Sequence, residues 1–265
     1  MTGRSRNPTP FTDFGGDGVD VLAVHGHFGG ARTFASLAHA LAGRARITAI
    51  DQRGHGHAAH RDDYTMDAYV DDLTAFVRDR GFTPAVLYGH SMGGVVAFNL
   101  AAKHPDLVRA LILEEAPAVV EPPILDTRAW PGRAPTLMGL GAGIVKEGIP
   151  DPAYFLETAI RYPDGWGLPF DHAGVYRSEE LLLGEWWAAW QAVQCPTLLV
   201  HGVESRVLPT SLAREMAERR PGIRYVELEG CGHWAHDDDV AAVAETVAAF
   251  LDEVVPDDPS TGRTA

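Results

Sequence analysis

The segment 89–94, which reads GHSMGG, restricts this chain more than any other part of its sequence. It follows the apolar run 85–88 and precedes a helical pattern that begins at about Val95. G-x-S-x-G at a strand-to-helix turn is typical of a nucleophile elbow, whose tight turn admits only small side chains beside the serine. The turn lifts the hydroxyl of Ser91 clear of the backbone at a helix N-terminus, where free N–H groups favour developing negative charge. Ser91 is therefore the candidate nucleophile.

Short apolar runs alternate with helical patterns along the chain. Four of the runs are nearly continuous Val, Ile, Leu or Ala, as expected for parallel strands covered on both faces. The predicted strands span 19–24, 47–50, 85–88, 110–113, 197–200 and 224–228, and the predicted helices span 33–41, 67–80, 92–103, 210–219 and 237–253. This alternation predicts an α/β fold with a doubly wound, mostly parallel sheet.

The alternation stops between residues 118 and 192. This stretch is rich in Pro and Gly and holds five of the six tryptophans. We expect two or three helices here, the last over 178–193 with Ser178 as its N-cap. The predicted organisation is a discontinuous core, 1–117 and 193–265, with a helical lid inserted over 118–192. The alternative is that this stretch adds further core helices with buried tryptophans.

Composition limits the partners and the location of the chain. Its 265 residues, 46% of them hydrophobic, can bury a large core. The net charge of −14 and the lack of a basic run argue against nucleic acid or an anionic membrane as a partner. No signal peptide or membrane-spanning stretch is visible. Because the strand order places Cys195 and Cys231 at opposite ends of the sheet, we expect free thiols and a cytoplasmic location.

A nucleophilic serine needs a base, and the base needs an acid to orient it. The segment 230–234, GCGHW, lies between the last predicted strand and the last predicted helix. A loop in that position can reach back over the elbow, so His233 is the candidate base. His236 is the nearby competitor for this role.

The negative charge that develops on a substrate carbonyl needs two backbone N–H donors. Met92 should supply one, because it directly follows the nucleophile. The other should come from the loop after the strand 19–24, with His27 as the first choice and Phe28 as the second.

Histidines 25, 27, 55, 57 and 60 form H-x-H and H-x-H-x-x-H patterns that could indicate a metal site. Neither cluster has a carboxylate at metal-ligand spacing. We therefore expect no metal and no other cofactor.

Four motifs together resemble the α/β-hydrolase superfamily: H-G-x-x-G at 25–29, D-x-R-G-x-G at 51–56, the elbow, and G-x-G-H at 230–233. The resemblance runs from about residue 19 to residue 251 and leaves the lid region unmatched. It implies the α/β-hydrolase fold and a serine nucleophile, but it says little about the substrate.

One departure from the family pattern concerns the acid. Most relatives carry it in a G-x-x-D-x-x-x-P segment after the penultimate strand, and here that segment reads GVESRVLP, with Ser205 in place of Asp. Some relatives, including certain haloalkane dehalogenases and mycotoxin lactone hydrolases, place a Glu after the strand that follows the nucleophile helix. Glu115 stands at the similar position of this chain. The resemblance thus favours Glu115 as the acid, with Glu204 and Glu114 as alternatives.

A serine nucleophile in this family implies attack on an ester or lactone carbonyl, an acyl-enzyme, and hydrolysis by water that His233 activates. The aromatic lid suggests a small-molecule substrate with an apolar acyl or ring portion. The expected substrate-binding residues are Phe28, Trp130, Trp186, Trp187 and Trp190. The alternatives are C–C bond hydrolysis, perhydrolysis or a lyase step on the same triad, and a ligand receptor of the same fold.

Overall fold

A computed structural model describes residues 9–255 of the protein. Its strands are β1 (Phe11–Asp13), β2 (Val19–Val24), β3 (Ala45–Ile50), β4 (Ala85–His90), β5 (Val108–Glu114), β6 (Val119–Val120), β7 (Ile160–Tyr162), β8 (Gly165–Gly167), β9 (Gly184–Glu185), β10 (Thr197–Gly202) and β11 (Arg224–Leu228). Its helices are α1 (Ala35–Ala40), α2 (Met66–Arg80), α3 (Met92–Lys103), α4 (Leu137–Lys146), α5 (Ala153–Glu157), α6 (His172–Leu182), α7 (Trp187–Ala192), α8 (Thr210–Arg219), α9 (Ala235–Asp238) and α10 (Val240–Val254). Three short 3₁₀ turns complete the described chain, over Ala31–Phe34, Pro105–Leu107 and Thr127–Ala129.

Seven strands form one sheet in the order β1-β3-β2-β4-β5-β10-β11. The pairs from β3 to β11 are parallel, and β1 pairs antiparallel with β3 at the edge. The predicted doubly wound, mostly parallel sheet is confirmed, with all six predicted strands in it. The edge strand β1 was not predicted, because a three-residue strand leaves almost no pattern in the sequence.

The sheet is covered on both faces. Leu22 and Val24 of β2 pack in one core with α2, α3, α7 and α8, whereas Val21 and Ala23 pack in a second core with α1 and α10. Alternate residues of a strand point to opposite faces, so each buried strand needs apolar side chains at nearly every position. This two-sided burial explains the continuous apolar runs in the sequence.

Residues 115–196, called the β5–β10 segment below, connect two strands that are neighbours in the sheet. The segment contains α4 to α7 and two small antiparallel pairs, β6 with β9 and β7 with β8. The prediction of a single helix over 178–193 is wrong. The chain leaves α6 after Leu182 and turns at Gly184, whose φ of +121° favours glycine, before α7 begins. Ser178 consequently lies inside α6 and is not an N-cap.

Two sequence expectations outside the sheet can be compared with the described residues. The helix expected over 237–253 is divided into α9 and α10, and the Asp239 side chain caps α10 by accepting the Ala242 N–H at 2.9 Å. Cys195 and Cys231 are both free.

Over residues 9–255, no helix combines the length and apolar character needed to cross a bilayer.

Candidate active site

The turn between β4 and α3 holds Ser91 in a strained backbone conformation, with φ of +52° and ψ of −125°. A non-glycine residue with positive φ is uncommon and occurs at functional turns. Two glycines make the turn possible. A Cβ on Gly93 would lie 2.2 Å from the Val24 carbonyl oxygen, and a Cβ on Gly94 would lie 2.3 Å from the Ala116 Cβ. The elbow therefore needs the small residues that its sequence provides.

His233 lies on the loop between β11 and α9, residues 229–234, which we call the histidine loop. Its Nε2 is 3.0 Å from the Oγ of Ser91. The ring of His90, which precedes the serine, donates from Nε2 to the His233 carbonyl at 2.8 Å. His90, a residue of the elbow, thus holds the backbone of His233, and the ring of His233 faces Ser91. A base in this position can take the serine proton as Oγ attacks a carbonyl.

Glu115 follows β5 with φ of +52°, and its side chain is completely buried. One carboxylate oxygen, Oε2, lies 3.3 Å from Nδ1 of His233. The other, Oε1, accepts hydrogen bonds of 2.8 Å from the Gly202 N–H and from Nδ1 of His201. Burial raises the pKa of this carboxyl, but hydrogen bonds from His201, His233 and Ser205 outweigh it and hold the pKa below its ordinary value. The group that faces His233 is therefore a carboxylate near neutral pH.

The two alternative acids lie elsewhere. Glu114 is buried and accepts from the backbone N–H and from Nδ1 of His236, at 2.9 and 2.8 Å, and the Tyr88 hydroxyl also donates to it. Glu204 is exposed to solvent, while its N–H donates to the Cys231 carbonyl at 2.9 Å. His236, the alternative base, bonds the Glu114 carboxylate through Nδ1. Of the three glutamates, the structure places Glu115 in hydrogen-bond reach of His233.

Ser205, where most relatives carry the acid, serves the local turn. Its Oγ accepts the N–H groups of Val207 and Leu208, both at 3.2 Å. Its hydroxyl also contributes to keeping the pKa of Glu115 low. A neutral hydroxyl cannot stabilise an imidazolium, but it can support a neighbouring carboxylate such as that of Glu115.

The loop 25–30 passes directly beside the elbow. A Cβ on Gly26 would lie 2.9 Å from the Ser91 Cβ, and Phe28 has a φ of +66°. Met92 is the first residue of α3, so its N–H is among those without a partner inside the helix. The loop 25–30 and the start of α3 thus both lie next to Ser91. The roles of His27 and Met92 as carbonyl-oxygen donors stay predictions.

Side chains also connect this loop to the β5–β10 segment. Nε2 of His27 lies 2.9 Å from the Oγ of Ser178 in α6, and the Tyr69 hydroxyl lies 3.0 Å from the same oxygen. Burial lowers the pKa of His27 well below its ordinary value. A neutral His27 ring is therefore held against Ser178 of α6, which also contacts Tyr69 of α2.

One buried cluster has the residue types of a metal site. His90, Glu114 and His236 each place a possible ligand atom within 4.8 Å of the others. Glu114 already accepts from His236 and Tyr88, and His90 uses Nε2 to hold the His233 carbonyl. These hydrogen bonds account for the arrangement as a packed polar cluster below the histidine loop.

Comparison with known proteins identifies the family. A family profile described as "Alpha/beta hydrolase family" matches residues 21–246, which is most of the chain. The chain belongs to the alpha/beta hydrolase family. The sheet order and the position of the elbow described above agree with this membership.

Relatives of this family member are hydrolases with different substrates. The sn-1-specific diacylglycerol lipase of Mus musculus is 28% identical over 252 residues, covering 87% of this chain and 80% of the relative. The pimeloyl-(acyl-carrier protein) methyl ester esterase of Aromatoleum aromaticum is 28% identical over 253 residues, covering 86% and 97%. The structure of E-2-(acetamidomethylene)succinate hydrolase has a TM-score of 0.76 with 24% identity over 91% of this chain and 94% of that chain, and it supports the fold.

Three of the tryptophans expected to bind substrate pack elsewhere in this alpha/beta hydrolase. Trp190 is completely buried, its ring centroid lies 5.9 Å from that of Phe98, and its Nε1 donates to the Met216 carbonyl at 2.9 Å. The expectation for Trp190 is wrong, because the side chain fills the core between α3 and α8. Trp186 and Trp187 are partly buried against the same core. They lie outside the aromatic cluster that Phe28 and Trp130 form, and their roles in substrate binding stay predictions.

The other two expected aromatics do lie in that cluster. The rings of Phe28 and Trp130 stack with centroids 6.3 Å apart, and both contact Phe155 of α5. Trp234, the residue after the candidate base, stacks on Tyr154 of the same helix at 4.5 Å. The β5–β10 segment thus forms a largely buried aromatic cluster with Phe28 of the loop 25–30 and Trp234 of the histidine loop. The roles of Phe28 and Trp130 in substrate binding stay predictions.

Sequence reasoning missed His201. It lies in β10, is completely buried, and bonds Glu115 through Nδ1 and the Thr210 hydroxyl through Nε2. The available signal was its position, because a histidine at the carboxyl end of a buried parallel strand lies at the edge of the sheet where ligands bind.

Proposed function

We propose that this alpha/beta hydrolase is a serine hydrolase that cleaves a carboxylic ester or lactone with an apolar acyl or ring portion. The observation that carries the proposal is the continuous line of contacts from Ser91 Oγ through His233 to Glu115, with distances of 3.0 and 3.3 Å. In this proposal, Ser91 is the nucleophile, His233 is the general base and Glu115 is the acid that orients it.

The proposal assigns each step of the reaction to a named group. His233 Nε2 takes the proton of Ser91 as Oγ bonds to the carbonyl carbon, and the negative oxygen is stabilised by the N–H groups of Met92 and His27. The imidazolium then donates its proton to the departing alkoxide, leaving an acyl-enzyme and an alcohol. His233 then deprotonates a water molecule, which attacks the acyl carbon. The imidazolium returns this proton to Ser91 Oγ as the bond between Oγ and the acyl carbon breaks, which releases the acid and free Ser91. Glu115 stabilises the imidazolium in both halves of the reaction.

The substrate class rests on two further observations. Phe28, Trp130 and Phe155 form a buried apolar aromatic cluster that includes a residue of the loop beside the elbow, and in this proposal its side chains line the pocket for an apolar acyl or ring group. The names of two relatives, a diacylglycerol lipase and a methyl ester esterase, both describe cleavage of carboxylic esters. In this proposal the β5–β10 segment acts as the lid over the substrate.

Hydrolysis of a panel of p-nitrophenyl esters and lactones by the wild type and by Ser91→Ala tests this function. The wild type should hydrolyse members of the panel, and Ser91→Ala should lose several orders of magnitude in kcat with an unchanged far-UV CD spectrum. A fluorophosphonate probe should label Ser91 in the wild type. An alanine variant with even a tenth of wild-type turnover would rule out the acyl-enzyme, and a wild type that neither turns over nor reacts would rule out the hydrolase.

A further inference from the structure

The carboxylate of Glu115 divides its two oxygens between two histidines. Oε2 lies 3.3 Å from His233, whereas Oε1 accepts the Nδ1–H of His201 and the Gly202 N–H at 2.8 Å each. We propose that His201, itself held by Thr210, is a positioning residue that keeps Oε2 of Glu115 directed at His233. This proposal rests on the proposed function, since it concerns the acid of that triad.

The orientation of His201 follows from its partners. A carboxylate can only accept, so the hydrogen of the 2.8 Å contact belongs to Nδ1 of His201. Nε2, on the other side of the ring, lies 2.9 Å from the Oγ1 of Thr210, the first residue of α8. The Tyr225 ring of β11 stacks on the imidazole with centroids 6.5 Å apart. The ring is therefore held at both nitrogens and on one face.

The relocated acid explains why such a residue is needed. Glu115 reaches His233 from the end of β5, and the usual acid position holds Ser205. A glutamate side chain has one more rotatable bond than an aspartate, so its carboxylate needs additional contacts to stay in one orientation. Two donors at Oε1 supply them. They also offset the burial of a carboxylate that is shielded from water.

The groups around Glu115 predict how a variant should titrate. It faces His201 of β10, His233 of the histidine loop and Ser205, and each of them lowers its pKa against the effect of burial. Across the sheet lies Glu227 of β11, whose pKa is lowered chiefly by hydrogen bonds from Arg214 and Tyr225, with a small contribution from His201. Without the His201 donor, burial should raise the pKa of Glu115. A protonated Glu115 cannot stabilise the His233 imidazolium, so activity should fall first on the acid side.

A matched pair of variants tests the proposal. His201→Asn keeps an N–H donor near the place of Nδ1, whereas His201→Leu removes it. For His201→Leu we expect a kcat about 10- to 100-fold lower at pH 7, little change in KM, and an acid limb of kcat/KM moved up by about one pH unit. His201→Asn should stay within about fivefold of wild type, with the acid limb where the wild type has it.

Thr210 provides the second step of the test. Thr210→Ser keeps the hydroxyl and should resemble wild type, whereas Thr210→Val should move the acid limb in the same direction as His201→Leu but less. If His201→Leu kept the wild-type rate, or lost rate with an unmoved pH profile, the positioning role would be wrong. The second result would mean that His201 only stabilises the fold.

A readout without turnover separates this proposal from the proposed function. The pKa of the Glu115 carboxyl can be followed by NMR in protein with ¹³C-labelled glutamate, with Glu115→Gln used for assignment. It should be higher in His201→Leu than in wild type and His201→Asn. If the wild type hydrolysed no ester, the proposed hydrolase function would be wrong, but the pKa comparison would still test the contact of His201 with Glu115. Equal pKa values of Glu115 in all three proteins would overturn the positioning role of His201.

Discussion

Glu114 and Glu115 are consecutive in the chain, yet their carboxylates contact two different histidines, His236 and His233, which lie three residues apart. Glu114 accepts from Nδ1 of His236 at 2.8 Å, and Oε2 of Glu115 lies 3.3 Å from Nδ1 of His233. Successive residues at the end of a strand point to opposite faces of the sheet, which separates the two acids. One carboxylate thus faces the candidate nucleophile through His233, and the other holds the chain just beyond that histidine.

Replacing Glu115 should reduce catalysis far more than replacing Glu204. For Glu115→Gln we expect a loss of about 10³–10⁴ in kcat, because an amide cannot stabilise the His233 imidazolium. Glu204→Gln, at an exposed position, should change kcat by less than about tenfold. Steady-state kinetics of both variants on one ester measures the difference. The reverse ranking would show that Glu115 is not the acid.

Replacing Glu114 should reduce stability. Glu114→Gln breaks a fully buried ion pair and leaves His236 without its carboxylate, so we expect a loss of about 3–5 kcal/mol in the free energy of unfolding. Urea unfolding at pH 7 measures it. Glu245→Gln on the exposed side of α10 is the matched control, with an expected change within about 0.5 kcal/mol. Equal stability of the two variants would mean that the pair contributes little.

The same ion pair predicts a pH dependence of stability. Burial lowers the pKa of His236, but Glu114, with Asp237 and Glu157, outweighs it and raises the pKa to about 9 from an ordinary 6.5. Burial raises the pKa of Glu114, but His236, with His90 and Tyr88, outweighs it and lowers the pKa to about 2 from 4.5. The stabilising contribution of His236 is therefore fully present below pH 6.5 and is lost as the pH rises through about 9. That of Glu114 is present above pH 4.5 and is lost as the pH falls towards 2.

Unfolding of wild type and Glu114→Gln across this range checks the sign. The difference in the free energy of unfolding between the two proteins should be largest between about pH 4.5 and 6.5, should shrink as the pH rises from about 6.5 to about 9, and should level off above that. A difference that grew between pH 6.5 and 9 would contradict the charged His236. A constant difference would mean that the pair does not change protonation in this range.

Two tryptophans of the β5–β10 segment should respond in opposite ways to truncation. Trp190→Ala should cost about 3–5 kcal/mol in the free energy of unfolding, because it leaves a cavity in a fully buried site. Where folded, it should change kcat/KM for acetate and bulky esters alike. Trp130→Ala, beside Phe28, should raise KM for bulky esters and spare acetate esters. Equal losses on both ester types would make Trp130 a structural residue as well.

The sequence by itself determined those elements whose conformation depends on residues close to them in the chain: the elbow, the six main strands and α3. The elbow around Ser91 is visible because Gly93 and Gly94 meet a local steric need. The six main strands are visible because burial on both faces leaves continuous apolar runs. Helix α3 follows directly from the turn before it. In each case the responsible contacts lie within a few residues or repeat with a short period.

Only the tertiary structure decided which distant side chains meet. The sequence left Glu115, Glu204 and Glu114 open as acids, and the parallel pairing of β5 with β10 is what brings Glu115 to His201 and Gly202. The break at Gly184 divided the last helix of the β5–β10 segment and sent Trp190 into the core. Such contacts join residues that lie far apart in the chain, such as Glu115 and His201. They depend on strand order and on packing that occurs only when the whole sheet has formed, so no local pattern records them.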